Sequence, residues 1–148
     1  MVSEDETSML SNRSIPRATV IPVLAYPDVN EAADWLCKAF GFSVRLRIGN
    51  HRVQLNVGEG ALIVREMQPN ETNTMLGMGH SVTIRVEDAD AHCSRARQHG
   101  ARIRQEPVTQ PYGERQYNAE DLAGHSWTFS QSVADVNPAE WGGKGEQL

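Results

Sequence analysis

The part of this sequence able to do chemistry is a set of polar residues recurring at every second position of short apolar runs. Ser81, Thr83 and Arg85 alternate with Val82, Ile84 and Val86, and Ser126, Thr128 and Ser130 alternate with Trp127 and Phe129. Arg52, Gln54 and Asn56 alternate in the same way with Val53, Leu55 and Val57. In an extended strand such a pattern sends one set to a core and the other to the opposite face. Hydroxyls, amides and guanidinium groups on that second face make the wall of a wet cavity. Arg adds a fixed planar donor that fits a carboxylate or stacks on a flat ring. Arg85 sits mid-strand between apolar neighbours, a position that favours a partner or a ligand over open water.

The candidate ligand-binding residues are Arg52, Gln54, Glu66, Ser81, Thr83, Arg85, Arg115, Tyr117 and Thr128. Ile21, Val23, Leu62 and Val64 would supply apolar wall, and Arg45 and Arg47 stand between the cavity and a solvated sheet surface. No Ser-His-Asp set, Cys-His pair or phosphate-cradling glycine loop is present, so no residue receives a catalytic role.

These side chains need strands to hold them, and the chain supplies them twice. A strand over Thr19–Tyr26, with Pro22 pushing it to an edge or bulge, leads into a helix capped by Asp28 or Asn30. Val29, Ala32, Ala33, Leu36, Cys37 and Phe40 form its apolar stripe, and Gly41 ends it. Strands over Phe42–Ile48, His51–Val57 and Ala61–Glu66 follow, and then an aperiodic loop, Met67–Gly79. A strand over Ser81–Val86 opens the second round, with a helix from Asp88 or Asp90 to His99 that ends at Gly100. Strands at about 101–105, 114–119 and 126–131 complete it. Asp28 recurs as Asp88 and Gly41 as Gly100, so the chain is a tandem duplication of strand–helix–strand–strand–strand. Residues 1–17 read as a flexible arm, 18–136 as one domain (modules 18–66 and 80–131, loop 67–79) and 137–148 as a tail.

Composition narrows the function classes. The 148 residues suffice for one domain or two small fused repeats, and 39% hydrophobic with 22% charged residues is ordinary for a soluble protein. A formal net charge of −5 argues against a nucleic-acid surface, and no apolar run approaches a membrane span. Cys37 and Cys93 fall within helical patterns and read as small buried hydrophobes rather than a disulfide, which fits a cytoplasmic protein.

The duplicated pattern resembles the glyoxalase/bleomycin-resistance/extradiol-dioxygenase superfamily, the vicinal oxygen chelate proteins. The resemblance runs from about Ala18 to Val136. It is carried by Tyr26-Pro-Asp28, Ala32-Ala33-Asp34-Trp35-Leu36 and Ala39-Phe40-Gly41-Phe42 in the first half. In the second half it is carried by Val86-Glu-Asp88-Ala-Asp90, Tyr112-Gly113-Glu114-Arg115 and Asp121-Leu-Ala-Gly124-His125-Ser-Trp127-Thr-Phe129. It implies an α+β fold of two βαβββ modules pairing into a half-open, cup-like eight-stranded sheet with helices on the outer face, commonly in a homodimer.

Metal-dependent members place His, Gln or Glu on the first and last strand of each module. The matching positions here are Ile21, Leu62, Ser81 and Thr128, none of them a good ligand, so neither metal nor other cofactor is expected. The leading expectation is a metal-free small-molecule binding protein, similar to the antibiotic-sequestering members. The alternative is a lyase or isomerase, recruiting metal through His80, Glu66 and His51 or working without it through Glu66 and Arg85. A third possibility, a purely structural or protein-binding module, requires another chain to cover the polar face. His125 is expected to stabilise its turn, His92 and His99 to be structural, and Trp35 and Trp141 to pack at a subunit contact.

Overall fold

The structure, a computed structural model, describes residues 10–71 and 79–147, so most of the expected 67–79 loop and the start of the arm lie outside the described residues. Asp28 opens the first helix because its carboxylate accepts the Glu31 amide at 3.0 Å, satisfying one of the orphaned donors of the first turn. The helix, α1, spans Val29–Phe40 and ends where Gly41 adopts φ +82°, a left-handed conformation that a side chain disfavours. Asp88 repeats the device at the start of α2, Ala89–Gln98, accepting the Ala91 amide at 3.0 Å. Strands β1 (Val23–Tyr26), β2 (Ser43–Ile48), β3 (Arg52–Val57) and β4 (Gly60–Glu66) surround α1 in sequence. Strands β5 (Val82–Arg85), β6 (Arg102–Thr109), β7 (Glu114–Glu120) and β8 (Ser126–Ser132) do the same for α2. A single 3-10 turn, Pro138–Trp141, follows.

The two βαβββ modules are laid out identically. Sheet one has the order β1-β4-β3-β2 and sheet two the order β5-β8-β7-β6. In each, the first strand runs parallel to the last and the other neighbours are antiparallel. The class is α+β with no closed barrel, and the eight strands divide into two four-stranded sheets. β1 is shorter than the expected Thr19–Tyr26: Pro22 lies just ahead of it, although the Pro22 carbonyl still accepts the Ile63 amide at 2.9 Å. β6 is longer than expected and carries two register shifts.

One core serves both modules. Leu24, Tyr26, Val53, Leu55, Leu62 and Val64 from sheet one meet Tyr117, Ala119, Trp127 and Phe129 from sheet two around the two helices. Phe40, the last residue of α1, lies at the junction, its ring centroid 4.7 Å from Phe129 and 5.3 Å from Trp127. The helices are also tied end to end. Arg95 on α2 donates to the Lys38 and Cys37 carbonyls at the C-terminus of α1, where orphan acceptors and the negative end of the helix dipole favour a cation. Trp35 donates its indole N–H to the His99 carbonyl at 2.7 Å, so its polar end joins the two modules of one chain rather than a subunit contact. Because both inner faces point into this shared core, each sheet keeps its other face away from the helices. No strand of one sheet pairs with a strand of the other among the described residues; the sheets meet only through side chains and the helices.

Candidate functional site

Cross-strand partners share a face, so the register decides which residues line each open surface. In sheet two, Trp127 pairs with Val82 and Ala119, and Phe129 with Ile84 and Tyr117; all six face the helices. Their neighbours make the open face: Thr83 and Arg85 on β5, Ser126, Thr128, Ser130 and Ser132 on β8, and Glu114, Gln116, Asn118 and Glu120 on β7.

That face carries two hydrogen-bonded groups, one running from Tyr112 through Gln116, Ser130 and Glu114 to Ser132 and Arg85 and one joining Thr128, Asn118 and Gln105, which together form a ladder of side chains. The Ser130 hydroxyl donates to Glu114 Oε1 at 2.6 Å and accepts from Gln116 Nε2 at 3.0 Å. Tyr112 donates to Gln116 Oε1 at 2.8 Å, and Thr128 to Asn118 Oδ1 at 2.9 Å. Asn118 in turn donates to Gln105 Oε1 at 3.1 Å, and Arg85 to the Ser132 hydroxyl at 2.6 Å. The Ser130 and Ser132 hydroxyls, with some help from the Arg85 charge, hold the Glu114 carboxyl below its usual range, so it is ionised at neutral pH. At the end of this ladder Tyr112, Glu114, Ser132 and the irregular segment Val133–Val136 line an open depression of about 570 Å³. Trp141 closes over Tyr112, ring centroids 5.2 Å apart, which is the observed place of the second tryptophan assigned to a subunit contact. A smaller cleft of about 120 Å³ lies between the modules, against Tyr26–Asp28 and Leu122–Ala123.

The open face of sheet one is different in kind. Val23, Ala25, Leu46, Ile48 and Ile63 share it with Arg52, Gln54 and Arg65. Gln54 is only 4% exposed, because the segment before β1 lies over it. Arg65 grips Glu71 through two 2.8 Å bonds, and this pairing lowers the Glu71 carboxyl to about 2.

The predicted residues therefore separate. Thr83, Arg85 and Thr128 share the sheet-two face, with Ser81 exposed just ahead of β5. Arg52 and Gln54 share the sheet-one face. Tyr117, Arg115 and Glu66 lie on the helix sides, contrary to expectation. Tyr117 is fully buried and donates to His92 Nδ1 at 2.5 Å, while His92 Nε2 donates to the Phe40 carbonyl at 2.9 Å. Arg115 grips Asp90 on α2 at 3.0–3.2 Å. Glu66 follows Leu62 and Val64, which fill the α1 core rather than a cavity wall, and it meets His51 at 3.1 Å. Arg47 also faces α1, bonded to Asn30 and Asp34, because a register shift between Val44 and Leu46 exchanges the faces of β2. His51 and Glu66 are brought together, but Glu66 and Arg85 lie on different sheets and opposite kinds of face. Among the described residues no three His, Cys, Asp or Glu side chains converge as a metal site.

Of the Arg115-or-Gln116 alternative that the alternation leaves open, it is Gln116 that lies on this face, and Glu114, Asn118 and Ser132 join the ladder without having been singled out. Their signal was available in β7 itself: Tyr117 and Ala119 must match Phe129 and Trp127, which sends the even-numbered residues to the open side.

A family model described as the Glyoxalase/Bleomycin resistance protein/Dioxygenase superfamily matches residues 18–129, spanning both modules. The chain belongs to this superfamily. The crystal structure of TioX from Micromonospora sp. ML1 is 35% identical, with a TM-score of 0.64 over 77% of this chain and 98% of that one. A glyoxalase-related enzyme from Fulvimarina pelagi (14% identity, TM-score 0.65, 78% of this chain and 88% of that one) has the same fold. So does a glyoxalase/bleomycin resistance protein/dioxygenase family enzyme from Burkholderia phytofirmans PsJN (16% identity, TM-score 0.65, 76% and 97%). No curated protein matches the chain. The Asp121–His125 turn, within the matched residues, joins the modules: His125 Nε2 donates to the Ala25 carbonyl at 2.7 Å.

Proposed function

We propose that this superfamily member is a metal-independent small-molecule binding protein, holding an aromatic or acidic metabolite such as an antibiotic. The observation that carries the reading is the sheet-two ladder: an ionised carboxylate, an Arg, amides and hydroxyls on one open face beside a depression of about 570 Å³. Such a face offers donors and acceptors in fixed places, and the Ser130 hydroxyl that meets the Glu114 carboxylate is shared with the Gln116 amide, so the Ser130 oxygen is bound on both sides, which suits binding rather than turnover. The metal-independent part is supported by the donor set. Leu62 is buried in the α1 core, Ile21 is apolar, and the Thr128 hydroxyl is already committed to Asn118. Divalent ions need several convergent imidazole or carboxylate donors with one open position.

The protein acts as a homodimer in this reading, since one sheet face alone makes half a cavity and a second copy supplies the other half. The working domain is 18–136, with the arm and tail as appendages, and the setting is the cytoplasm, where Cys37 and Cys93 remain thiols. Partners are small molecules rather than nucleic acid or membrane; no helix among the described residues is long and apolar enough to span a bilayer.

The test is thermal unfolding of the intact protein against a panel of aromatic and carboxylate-bearing natural products, with and without a chelator. A binder present at 100 times its Kd stabilises by about 2.7 kcal/mol. The reading expects that gain to survive chelation and to fall at least tenfold in apparent affinity in Glu114→Gln. Stabilisation abolished by chelator, or turnover of the bound compound, overturns it.

A further inference from the structure

The sheet-one face is buried by a piece of the same chain that belongs to no strand or helix. Gln54 Nε2 donates to the Ser14 carbonyl at 2.8 Å, and Arg45 Nη2 donates to the Arg13 carbonyl at 3.0 Å. Arg45 also donates to Gln54 Oε1 at 2.5 Å, so the two side chains form one two-pronged clamp. Pro16, three residues on from Arg13, is buried, while Arg13, Ser14 and Ile15 are exposed. Beneath this segment Ala25, Gln54 and Ile63 fall to 4–5% exposure.

Three features set this contact apart from packing that merely completes a core. The clamp reads main-chain carbonyls rather than the side chains of the arm. The hold among the described residues is small: two hydrogen bonds and one buried proline, in a stretch whose flanks Leu10 and Val20 are 95% and 77% exposed. Segments held by so few contacts open at low cost, well below global unfolding. And the ladder on sheet two satisfies its polar groups side chain to side chain, whereas Gln54 Nε2 uses the arm as its acceptor.

We propose that residues 13–16 are a detachable plug, docked on the Arg45–Gln54 clamp, that must leave before anything else can occupy the sheet-one face. The plug and an incoming occupant compete for that face, so each lowers the other's apparent affinity by the same factor. With the plug docked, the apparent affinity of an occupant is reduced in proportion to the fraction of molecules in which the face is open. The proposal rests on the cavity reading above only in taking the sheet-one face for its other half, and the cleavage rates, unlike dye binding, report the arm alone. The cleavage test can fail while ligand binding at the sheet-two ladder stands, and the reverse.

Trypsin provides the assay, because the Arg13–Ser14 bond lies within the docked segment and Arg17–Ala18 just beyond its end. Cutting needs an accessible, extended backbone and therefore reports the undocked fraction of the full-length protein. The double variant Arg45→Met/Gln54→Leu, which keeps side-chain bulk and removes the donors, is expected to be cut at these bonds about tenfold faster, the effect of one to two net hydrogen bonds. Arg47→Met, on the helix side of the same strand, is expected to leave the rate unchanged. In the wild-type protein, saturating anilinonaphthalene sulfonate, an aromatic anion used as a generic occupant of the exposed face, is expected to speed the same cuts. Its fluorescence is expected to be higher in the double variant. The dye experiment on wild type decides the matter even if the double variant folds poorly. Cutting that is insensitive to both the variant and the dye overturns the proposal, as does faster cutting in the variant with no gain in dye binding.

Discussion

Replacing Asp121 by Ala is expected to remove a large share of the stability of this protein. The carboxylate is 4% exposed and accepts four hydrogen bonds. Oδ2 receives the Tyr26 hydroxyl at 2.5 Å and the Trp127 indole N–H at 3.0 Å, and Oδ1 receives the Ala123 and His125 amides, each at 3.0 Å. Tyr26 closes the first module's opening strand and Trp127 lies in the second module's last strand, so one side chain bridges both halves of the duplication. The Tyr26 and Trp127 side chains are 0% and 1% exposed, so water cannot replace the lost acceptor without opening the core. A hydrogen bond to a charged group contributes about 1.5–3 kcal/mol, and a buried donor left unpaired costs about 1–3 kcal/mol. Shared geometry prevents simple addition, and we expect a loss of about 4–6 kcal/mol, against a typical total of about 5–15 kcal/mol.

Asp121→Asn keeps the shape and one acceptor oxygen and should lose about half as much, and Tyr26→Phe about 1.5–3 kcal/mol. Urea unfolding followed by tryptophan fluorescence measures all of these. The diagnostic quantity is the coupling in the Tyr26→Phe, Asp121→Ala cycle, expected above about 1 kcal/mol for groups in one network. A loss below about 1.5 kcal/mol for Asp121→Ala, or additive behaviour in the cycle, would refute the view that this carboxylate joins the modules.

Three further outcomes follow from the packing. Burial holds the His92 imidazole below its ordinary range, the bond to the Phe40 carbonyl opposing and the Arg95 charge adding to the shift. A depressed folded-state value gives stability that is present above the unfolded value near 6.5 and lost as pH falls below it, so urea midpoints of wild type should drop faster below pH 6.5 than those of His92→Gln. Phe40→Ala should cost about 3–5 kcal/mol, because its ring meets aromatic groups of both modules, and calorimetry measures it. In Gly113→Ala a Cβ would lie 2.5 Å from the Ala134 carbonyl oxygen at φ +86°, so about 1–3 kcal/mol is lost and the Val133–Val136 rim detaches, which amide hydrogen exchange would detect.

The duplication was legible because its determinants are local. Capping aspartates at 28 and 88, glycines at 41 and 100, and alternation in β5 and β8 each carry their own structural meaning within a few residues. Sidedness was legible only where both parities were unambiguous. Val82, Ile84, Trp127 and Phe129 left no choice, and Thr83, Arg85 and Thr128 followed correctly to the open face. Tyr117 failed because a tyrosine satisfies either side: its hydroxyl suggested a wet wall, but His92 supplies a partner within the core. Glu66 failed because Leu62 and Val64 look the same facing a cavity or a helix. Only the pairing of Leu62 with Leu55 and Val64 with Val53 assigns them, and that is long-range information. The bulge in β2 that turned Arg47 toward α1 has no signature in its own residues.

The same comparison shows why the two modules can share one architecture and differ in chemistry. Their inner faces answer to one core, so Val53, Leu55 and Val64 in sheet one and Ile84, Tyr117 and Phe129 in sheet two obey the same packing demand. Neither outer face meets a helix, and each can change without disturbing that core. Sheet one has retained Ala25, Leu46 and Ile63 there, apolar groups that need a cover, and the chain supplies one through Arg13–Pro16. Sheet two has placed Ser130, Gln116, Asn118 and Glu114 there, polar groups bonded to side chains of the same face; Ser130 is buried beneath that network and the other three are half-exposed. A substitution on the sheet-two outer face should therefore alter binding with little loss of stability. The matching substitution on the inner face, Phe129→Ala, should cost several kcal/mol, about 3–5 by the precedent of buried aromatics. If outer-face changes such as Asn118→Ala proved as destabilising as inner ones, the ladder would be holding the sheet together, and its availability to a ligand would have to be given up.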